Sequence, residues 1–78
     1  MLGYEECKEI AQRRADEHKI SIDKAYDIGN DYVFDNSADE AIGILPMVVN
    51  ADNGEIKGLW LYLNDNDMTM DDMIEREF

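Results

Sequence analysis

Cys7 and His18 are the only cysteine and histidine in the chain, and together they represent the nucleophile and base of thiol enzymes. Both fall on one face of a helix that the sequence predicts over residues 4–19. Along such a helix they are separated by about 16 Å, far beyond hydrogen-bonding distance. We therefore expect no catalytic pair, and we expect both side chains to fill a contact between this helix and a sheet.

Oxygen-bearing side chains alternate between Asp65 and Asp71, with a spacing similar to that of a calcium-binding loop. Met70 stands where such a loop needs glycine, and Arg76 stands where it needs a bidentate glutamate. One cysteine and one histidine serve zinc poorly, and the glycine patterns of nucleotide-binding and serine-hydrolase families are absent. We expect no metal, no cofactor, no catalytic residues and no enzymatic activity.

The charge of the chain limits its partners. Nineteen acidic residues and seven Lys and Arg give a net charge of -12 over 78 residues, with an isoelectric point near 4.1. So few cations cannot form a basic surface that follows a nucleic-acid backbone, and an anionic membrane would repel the chain. We expect neither nucleic acid nor membrane as a partner.

Most of the charge lies late in the chain. Residues 1–24 have a net charge of -1, whereas residues 25–78 have a net charge of -11. Carboxylates recur every four residues through the predicted first hairpin and continue on later connections, and such an array can attract a basic partner over long range. The candidate acidic surface consists of Asp27, Asp31, Asp35, Asp39, Glu40, Asp52 and Glu55. The alternative is that this acidity only keeps a small protein soluble.

These side chains must be positioned by a single domain spanning residues 1–78, since the length leaves no room for a second. The helix over residues 4–19 has a narrow apolar stripe that suits close packing on a sheet. Residues 20–36 alternate with a period of two around a turn at 29–31 and predict a hairpin. Residues 37–43 predict a short helical turn or a plain loop.

Residues 44–49 predict a third strand, with Pro46 at an edge, a bulge or the strand start. An Asn-Gly turn at residues 53–54 leads into a predicted fourth strand over 55–63, which is apolar on both faces. We expect an apolar interface near the end of that strand, formed by Leu59, Trp60, Leu61 and Tyr62. Thr69 predicts the cap of a short terminal helix.

Together these elements predict an α+β fold. The N-terminal helix packs on a four-stranded, mainly antiparallel sheet, and a short C-terminal helix follows. One cysteine, no signal-peptide pattern and no apolar stretch of membrane-spanning length favour a cytoplasmic location.

Three stretches along residues 4–63 carry a family resemblance: Tyr-Val-Phe at 32–34, Gly-x-x-Pro-x-x-Val at 43–49 and Gly-Glu-Ile at 54–56. After an N-terminal helix, they resemble small immunity proteins of bacterial polymorphic toxin systems and the repeat unit of PepSY-type domains. The immunity resemblance implies a cytoplasmic binder that neutralises a toxin. PepSY domains are typically exported, and the start of this chain has no signal-peptide pattern.

We therefore expect a non-enzymatic binding or inhibitory module that recognises a protein partner, in particular a basic one, through its acidic surface. A toxin-immunity protein is the most specific form of this hypothesis. The alternative is a homodimeric structural or phage-associated accessory protein that associates through the apolar run at residues 59–63.

Overall fold

A computed structural model describes residues 1–37 and 44–78. Its elements, in chain order, are α1 (Tyr4–Glu17), β1 (Lys24–Ile28), β2 (Asp31–Asp35), β3 (Met47–Val49), β4 (Ile56–Gly58), α2 (Leu59–Asp65), a single 3₁₀ turn (Met70–Asp72) and β5 (Met73–Arg76). The strands form one sheet in the order β4-β3-β2-β1-β5, and every neighbouring pair is antiparallel. The α+β fold class is confirmed, with five strands instead of the four predicted.

Local hydrogen bonds define both ends of α1. The backbone N–H of Gly3 donates to Glu6 Oε1 at 3.2 Å, which satisfies an amide that the helix leaves free. At the other end Lys19 adopts a φ of +57°, and the N–H of Ile20 donates to the carbonyl of Ala15 at 3.0 Å. This Schellman-type arrangement ends the helix two residues before the predicted boundary.

The side of the sheet that faces α1 holds the larger part of the core. Cys7, Ala11 and Ala15 form the buried stripe of α1, as the residue spacing predicted. Because these side chains are small, the helix lies close to the sheet, which supplies the bulky residues. The strand residues buried on this side are Ala25, Phe34, Met47 and Val49.

The predicted hairpins are present. β1 and β2 join through Gly29 and Asn30, and Gly29 adopts a φ of +56° that a side chain would strain. β3 and β4 join through the Asn-Gly turn, where Gly54 has a φ of +76°. Pro46 directly precedes β3, so its missing N–H interrupts no ladder of the sheet.

The predicted fourth strand is wrong beyond Gly58. Only residues 56–58 pair with β3, and the chain then turns into α2. Leu59, Tyr62 and Leu63 have the i, i+3, i+4 spacing of a helix face, and they cover an otherwise open apolar surface of the sheet. That surface consists of Ile28, Val33 and Val48.

The predicted terminal helix is also wrong. Thr69 caps only the 3₁₀ turn, where its N–H donates to Asp72 Oδ2 at 2.8 Å. The chain then extends as β5, and residues 73–76 pair with residues 25–28 of β1. Pairing with an available sheet edge outweighs the weak helical pattern of the segment.

The predicted helical turn over 37–43 lies, except for Ser37, outside the described residues. Ser37 itself donates its backbone N–H and its hydroxyl to the Asp23 carboxylate, at 2.9 and 2.7 Å.

Neither helix of the described chain is long and apolar enough to cross a bilayer.

Candidate protein-binding surface

Asp27 belongs to the predicted acidic surface, but in the fold it is paired with a cation. Its Oδ1 accepts a hydrogen bond from Arg76 Nη1 at 2.9 Å. The guanidinium of Arg76 also lies over the Tyr4 ring, 3.8 Å from the ring centroid. These contacts hold β5 against the sheet and α1, and they neutralise much of the charge that Asp27 could offer a partner.

Asp31 is used even more fully inside the fold. Its Oδ2 accepts a hydrogen bond from Tyr62 Oη at 2.6 Å, and its Oδ1 accepts one from the backbone N–H of Ala51 at 2.9 Å. Burial raises the pKa of Tyr62, and the hydrogen bond to Asp31 raises that pKa further. The carboxylate of Asp31 thus joins β2, the turn after β3, and α2.

Of the other acidic candidates, Glu55 lines the same cavity as Asp31, and Asp52 directly follows Ala51, whose N–H is bonded to Asp31. Asp35 is half-buried, and its Oδ1 accepts a hydrogen bond from the N–H of Asn36 at 2.8 Å. Asp52 and Glu55 are exposed in the turn between β3 and β4. Asp39 and Glu40 lie outside the described residues.

The four-residue spacing of the aspartates does not place them on one face of the sheet. Asp27 lies opposite Tyr32 in the hairpin register and shares its face, the one that α1 covers. Side chains alternate along a strand, so Asp31, next to Tyr32, points to the opposite face. The two-residue turn at Gly29 and Asn30 therefore divides the array between the two sides of the sheet.

Helix α2 also separates the four residues of the predicted apolar interface. Leu59 and Tyr62 are buried against the sheet. Trp60 and Leu61 lie on the outer side of the helix, where 62% and 55% of their surfaces are exposed. Only these last two are accessible to a partner, because helical periodicity directs neighbouring residues to different sides.

The segment over residues 60–77 combines exposed apolar and acidic side chains, and we call it the 60–77 segment. Among the described residues five large apolar side chains are exposed, and four of them belong to it: Trp60, Leu61, Met70 and Ile74. Six acidic residues also belong to it, namely Asp65, Asp67, Asp71, Asp72, Glu75 and Glu77. Arg76 is its single cation.

The sequence analysis named Trp60 and Leu61 as part of an apolar interface, but it placed them in a strand and placed Met70 and Ile74 in a terminal helix, so it did not foresee their combined exposure. The acid density of residues 65–77 was visible in the sequence, but the exposure of the apolar side chains depends on where α2 begins. Ile74 lies opposite Asp27 and points to the α1 side of the sheet, whereas Trp60 and Leu61 lie on the outer side of α2, so these two form the apolar part of the surface on that side. An exposed aromatic–aliphatic pair in an acidic segment is typical of protein interfaces.

The thiol and the imidazole lie apart, as predicted. Cys7 is a fully buried residue of α1, and its burial raises the pKa of the thiol. His18 is the C-terminal cap of α1 and is exposed, so its predicted place in the helix–sheet contact is wrong. A buried, protonated thiol at this position fills space in the core.

Two open cavities lie on either side of β4. The larger, of about 450 Å³, lies between α1 and the turn that contains Gly54, and Arg13 and Arg14 line it. The smaller, of about 200 Å³, lies beside α2, where Lys57 Nζ contacts Asp65 Oδ2 at 2.9 Å. Across residues 1–37 and 44–78, no three His, Cys, Asp or Glu side chains converge to hold a metal ion.

No protein-family model matches the sequence, and neither the curated proteins nor the solved structures show a significant match to it. Any function must therefore be argued from the residues of this chain.

Proposed function

We propose that this chain is a non-enzymatic binding module that recognises a basic protein partner through the 60–77 segment. The observation that carries the proposal is the presence of four exposed large apolar side chains and six carboxylates within eighteen residues of the chain. The acidic recognition surface proposed here is formed by residues 65–77 instead of the predicted carboxylates between Asp27 and Glu55.

The charge distribution supports a basic partner. Asp27 and Asp31 are engaged inside the fold, whereas Asp67 and Asp71 are exposed. Exposed carboxylates of one sign raise the rate of encounter with an oppositely charged surface, and salt screens that attraction. Binding through this segment should therefore weaken as salt increases.

The exposed apolar side chains can contribute binding affinity in addition to the electrostatic attraction. Trp60 and Leu61 are neighbours on the outer side of α2, so a partner can cover both in one contact. Tryptophan is among the residues that most often dominate the energy of protein interfaces. The acidic residues would then raise the association rate and favour a partner of opposite charge. Trp60 would contribute most of the apolar contact that holds the complex together.

The resemblance of residues 32–34, 43–49 and 54–56 to small immunity proteins gives the proposal its most specific form. In that form the chain is cytoplasmic and neutralises a toxin by binding it. The basic partner would then be the toxin, blocked by contact and not by any reaction on this chain.

A capture experiment from the source cell tests the proposal with two charge-matched variants. One is Asp67→Asn/Asp71→Asn in the 60–77 segment, and the other is Asp16→Asn/Glu17→Gln on the exposed side of α1. Asp67 has a φ of +53°, which asparagine accepts, so the first variant should fold. Capture is compared at about 50 mM and about 500 mM salt, since the Debye length falls from about 14 Å to about 4 Å.

We expect a partner with a basic surface that is recovered at low salt and released at high salt. The 60–77 variant should lose that partner, while the α1 variant with the same net charge should retain it. Capture of a partner without basic surface, salt-insensitive capture or equal loss in both variants would contradict the proposal.

Self-association is the second candidate function, and the exposure of Trp60 and Leu61 favours it. Two copies could bury these side chains against each other, as in the homodimer that the sequence suggested as an alternative. Sedimentation velocity at micromolar concentration distinguishes the two candidates. A dimer that Trp60→Ala dissociates supports self-association, and a monomer excludes it over that concentration range.

A further inference from the structure

Strand β5 is an edge strand of the sheet. One side of it pairs with β1, and no strand among residues 1–37 and 44–78 pairs with its other side. Every second residue of an antiparallel strand directs its N–H and C=O away from its partner, so β5 offers unpaired backbone groups. Such an edge can bind another strand.

The opposite edge, β4, is protected in ways that β5 is not. β4 is three residues long, its central residue is Lys57, and α2 begins directly after Gly58. Short length and a lysine are common means of preventing edge pairing. β5 is one residue longer and contains neither lysine nor proline; of its two charged residues, Arg76 is held by Asp27, and the side chain of its Ile74 is 67% exposed.

The side chains along β5 define what a neighbouring strand should contain. Ile74 lies opposite Asp27 and therefore points to the α1 side of the sheet, beyond the part that α1 covers. Glu75 points to the other side and is exposed. Arg76 is already bonded to Asp27, so it repels a lysine or arginine of the incoming strand only weakly.

We infer that the free edge of β5 binds an extended segment of the partner as an additional strand, with an apolar residue beside Ile74 and a lysine or arginine beside Glu75. This inference rests on the proposed function and adds its binding mode. Backbone hydrogen bonds supply the contact, and the alternating side chains supply the selectivity. Asp71, Asp72 and Glu77 flank the strand and add to the preference for basic residues.

Charge argues against a second copy as the occupant of this edge. Each chain has a net charge of -12, and the acidic residues that flank β5 would meet those of the other copy. Like charges across paired strands destabilise the pairing. A basic segment gains from the same groups, so the edge favours a partner over self-pairing.

The probe is a blocked peptide of alternating valine and lysine, about ten residues long, titrated into the ¹⁵N-labelled chain at about 150 mM salt. A control peptide has the same sequence but carries N-methyl groups on every residue, which removes its backbone donors along both edges and keeps its charge. We expect amide shifts on β5 and on its neighbour β1. The control should bind at least about tenfold more weakly.

Two variants locate the contact. Ile74→Lys places a cation on the exposed edge and should weaken peptide binding by about tenfold or more, while the fold is retained because the site is exposed. Gln12→Lys makes the same change in charge on the exposed side of α1, away from the 60–77 segment, and should leave binding to the edge unchanged. Equal binding of the N-methylated control, or shifts confined to residues 59–67, overturns the inference.

The outcome also separates this inference from the proposed function. Absence of peptide binding overturns the β5 docking mode, while the capture experiment with the charge variants still decides whether the 60–77 segment recognises a basic partner. Loss of capture in both charge-matched variants, with intact peptide binding at β5, contradicts the proposed function and leaves the edge as a peptide-binding site.

Discussion

The two sides of the sheet are covered by helices of opposite character. On one side, the 14-residue α1 contributes small side chains such as Ala11 and Ala15, and the sheet contributes bulky ones such as Phe34. On the other side, the seven-residue α2 contributes the bulky Leu59 and Leu63, and the sheet contributes branched aliphatic residues.

The second side also contains a polar contact, the hydrogen bond from Tyr62 to Asp31, within an otherwise apolar cluster. A long helix with a regular stripe can be positioned by apolar packing alone. A helix of two turns has little stability of its own, so it depends on each anchor that holds it. We therefore expect the first side to be sensitive mainly to lost volume and the second to the placement of single groups.

The largest effect is expected from Phe34→Ala, which removes the bulkiest fully buried side chain on the α1 side. It should lower the free energy of unfolding by about 3–5 kcal/mol. Val33→Ala, at the neighbouring residue on the α2 side, should cost about 2 kcal/mol. Urea denaturation measures both, and a greater loss for Val33→Ala would contradict the distribution of core volume between the two sides.

The second-largest effect is expected from Leu59→Ala, and comparison with Leu61→Ala tests whether residues 59–65 form a helix. Leu59→Ala should cost about 3 kcal/mol because the side chain is buried, whereas Leu61→Ala should change stability by no more than about 0.5 kcal/mol. In a strand these two residues would share a face and be buried or exposed together. Similar losses in the two variants, measured by urea denaturation, would favour the strand.

A smaller effect is expected from Tyr62→Phe, which leaves one Asp31 oxygen without its donor and should cost about 1–2 kcal/mol near neutral pH. The pKa of Tyr62 is raised above its ordinary value of 10.0, so the unfolded chain loses this proton first as pH increases. The stability of the native protein should therefore fall as pH rises above about 10.

In Tyr62→Phe the loss of stability at alkaline pH should be smaller, because the variant lacks the hydroxyl of Tyr62. The part of the loss that remains should come from other groups, such as Tyr4, whose pKa is also raised by burial. Unfolding midpoints at several pH values measure it for both proteins. An identical alkaline decline in the variant would show that the Tyr62–Asp31 contact does not contribute to it.

The smallest effect concerns the rim of the α1 side. Arg76→Ala removes the contact with the Tyr4 ring and the bond to Asp27, and should cost about 1 kcal/mol because the pair is partly exposed. Arg76→Lys keeps the charge but loses the flat stacking surface, so it should recover only part of that loss. Full recovery with lysine, measured by thermal unfolding, would assign the stabilisation to charge alone.

The α1 side was the more predictable of the two. The stripe at Cys7, Ala11 and Ala15 repeats over a little more than two of the turns of α1, and the hairpin turns contain glycine at the positions where positive φ is needed. Such signals are local, and local signals suffice where an element is long or its turn is specific.

The α2 side could not be derived in the same way. The apolar run at 59–63 fits a buried strand as well as one side of a short helix, and periodicity does not distinguish them over so few residues. The helix-like spacing of Met70, Met73 and Ile74 gave way to pairing with β1, which only the assembled sheet offers.

The candidate site depended on the same non-local facts. The faces on which Asp27 and Asp31 lie depend on the register of the hairpin. A turn longer or shorter by one residue would move the side chains of one strand to the opposite face of the sheet. Trp60 and Leu61 became accessible only because α2 starts at Leu59. The acidity of residues 65–77 and an apolar interface that includes Trp60 and Leu61 were readable from the sequence, but the exposure of Met70 and Ile74 was not.

The two bonds of the Asp31 carboxylate have a consequence for local unfolding. One oxygen holds Ala51 in the β3–β4 turn and the other holds Tyr62 in α2, so loss of either contact weakens the support of the other. The turn and α2 should therefore open as one cooperative unit, with a common protection against hydrogen exchange, although eight residues lie between Asn50 and Leu59 in the chain. A partner that binds the outer side of α2 would then also slow exchange in the turn, which it never touches.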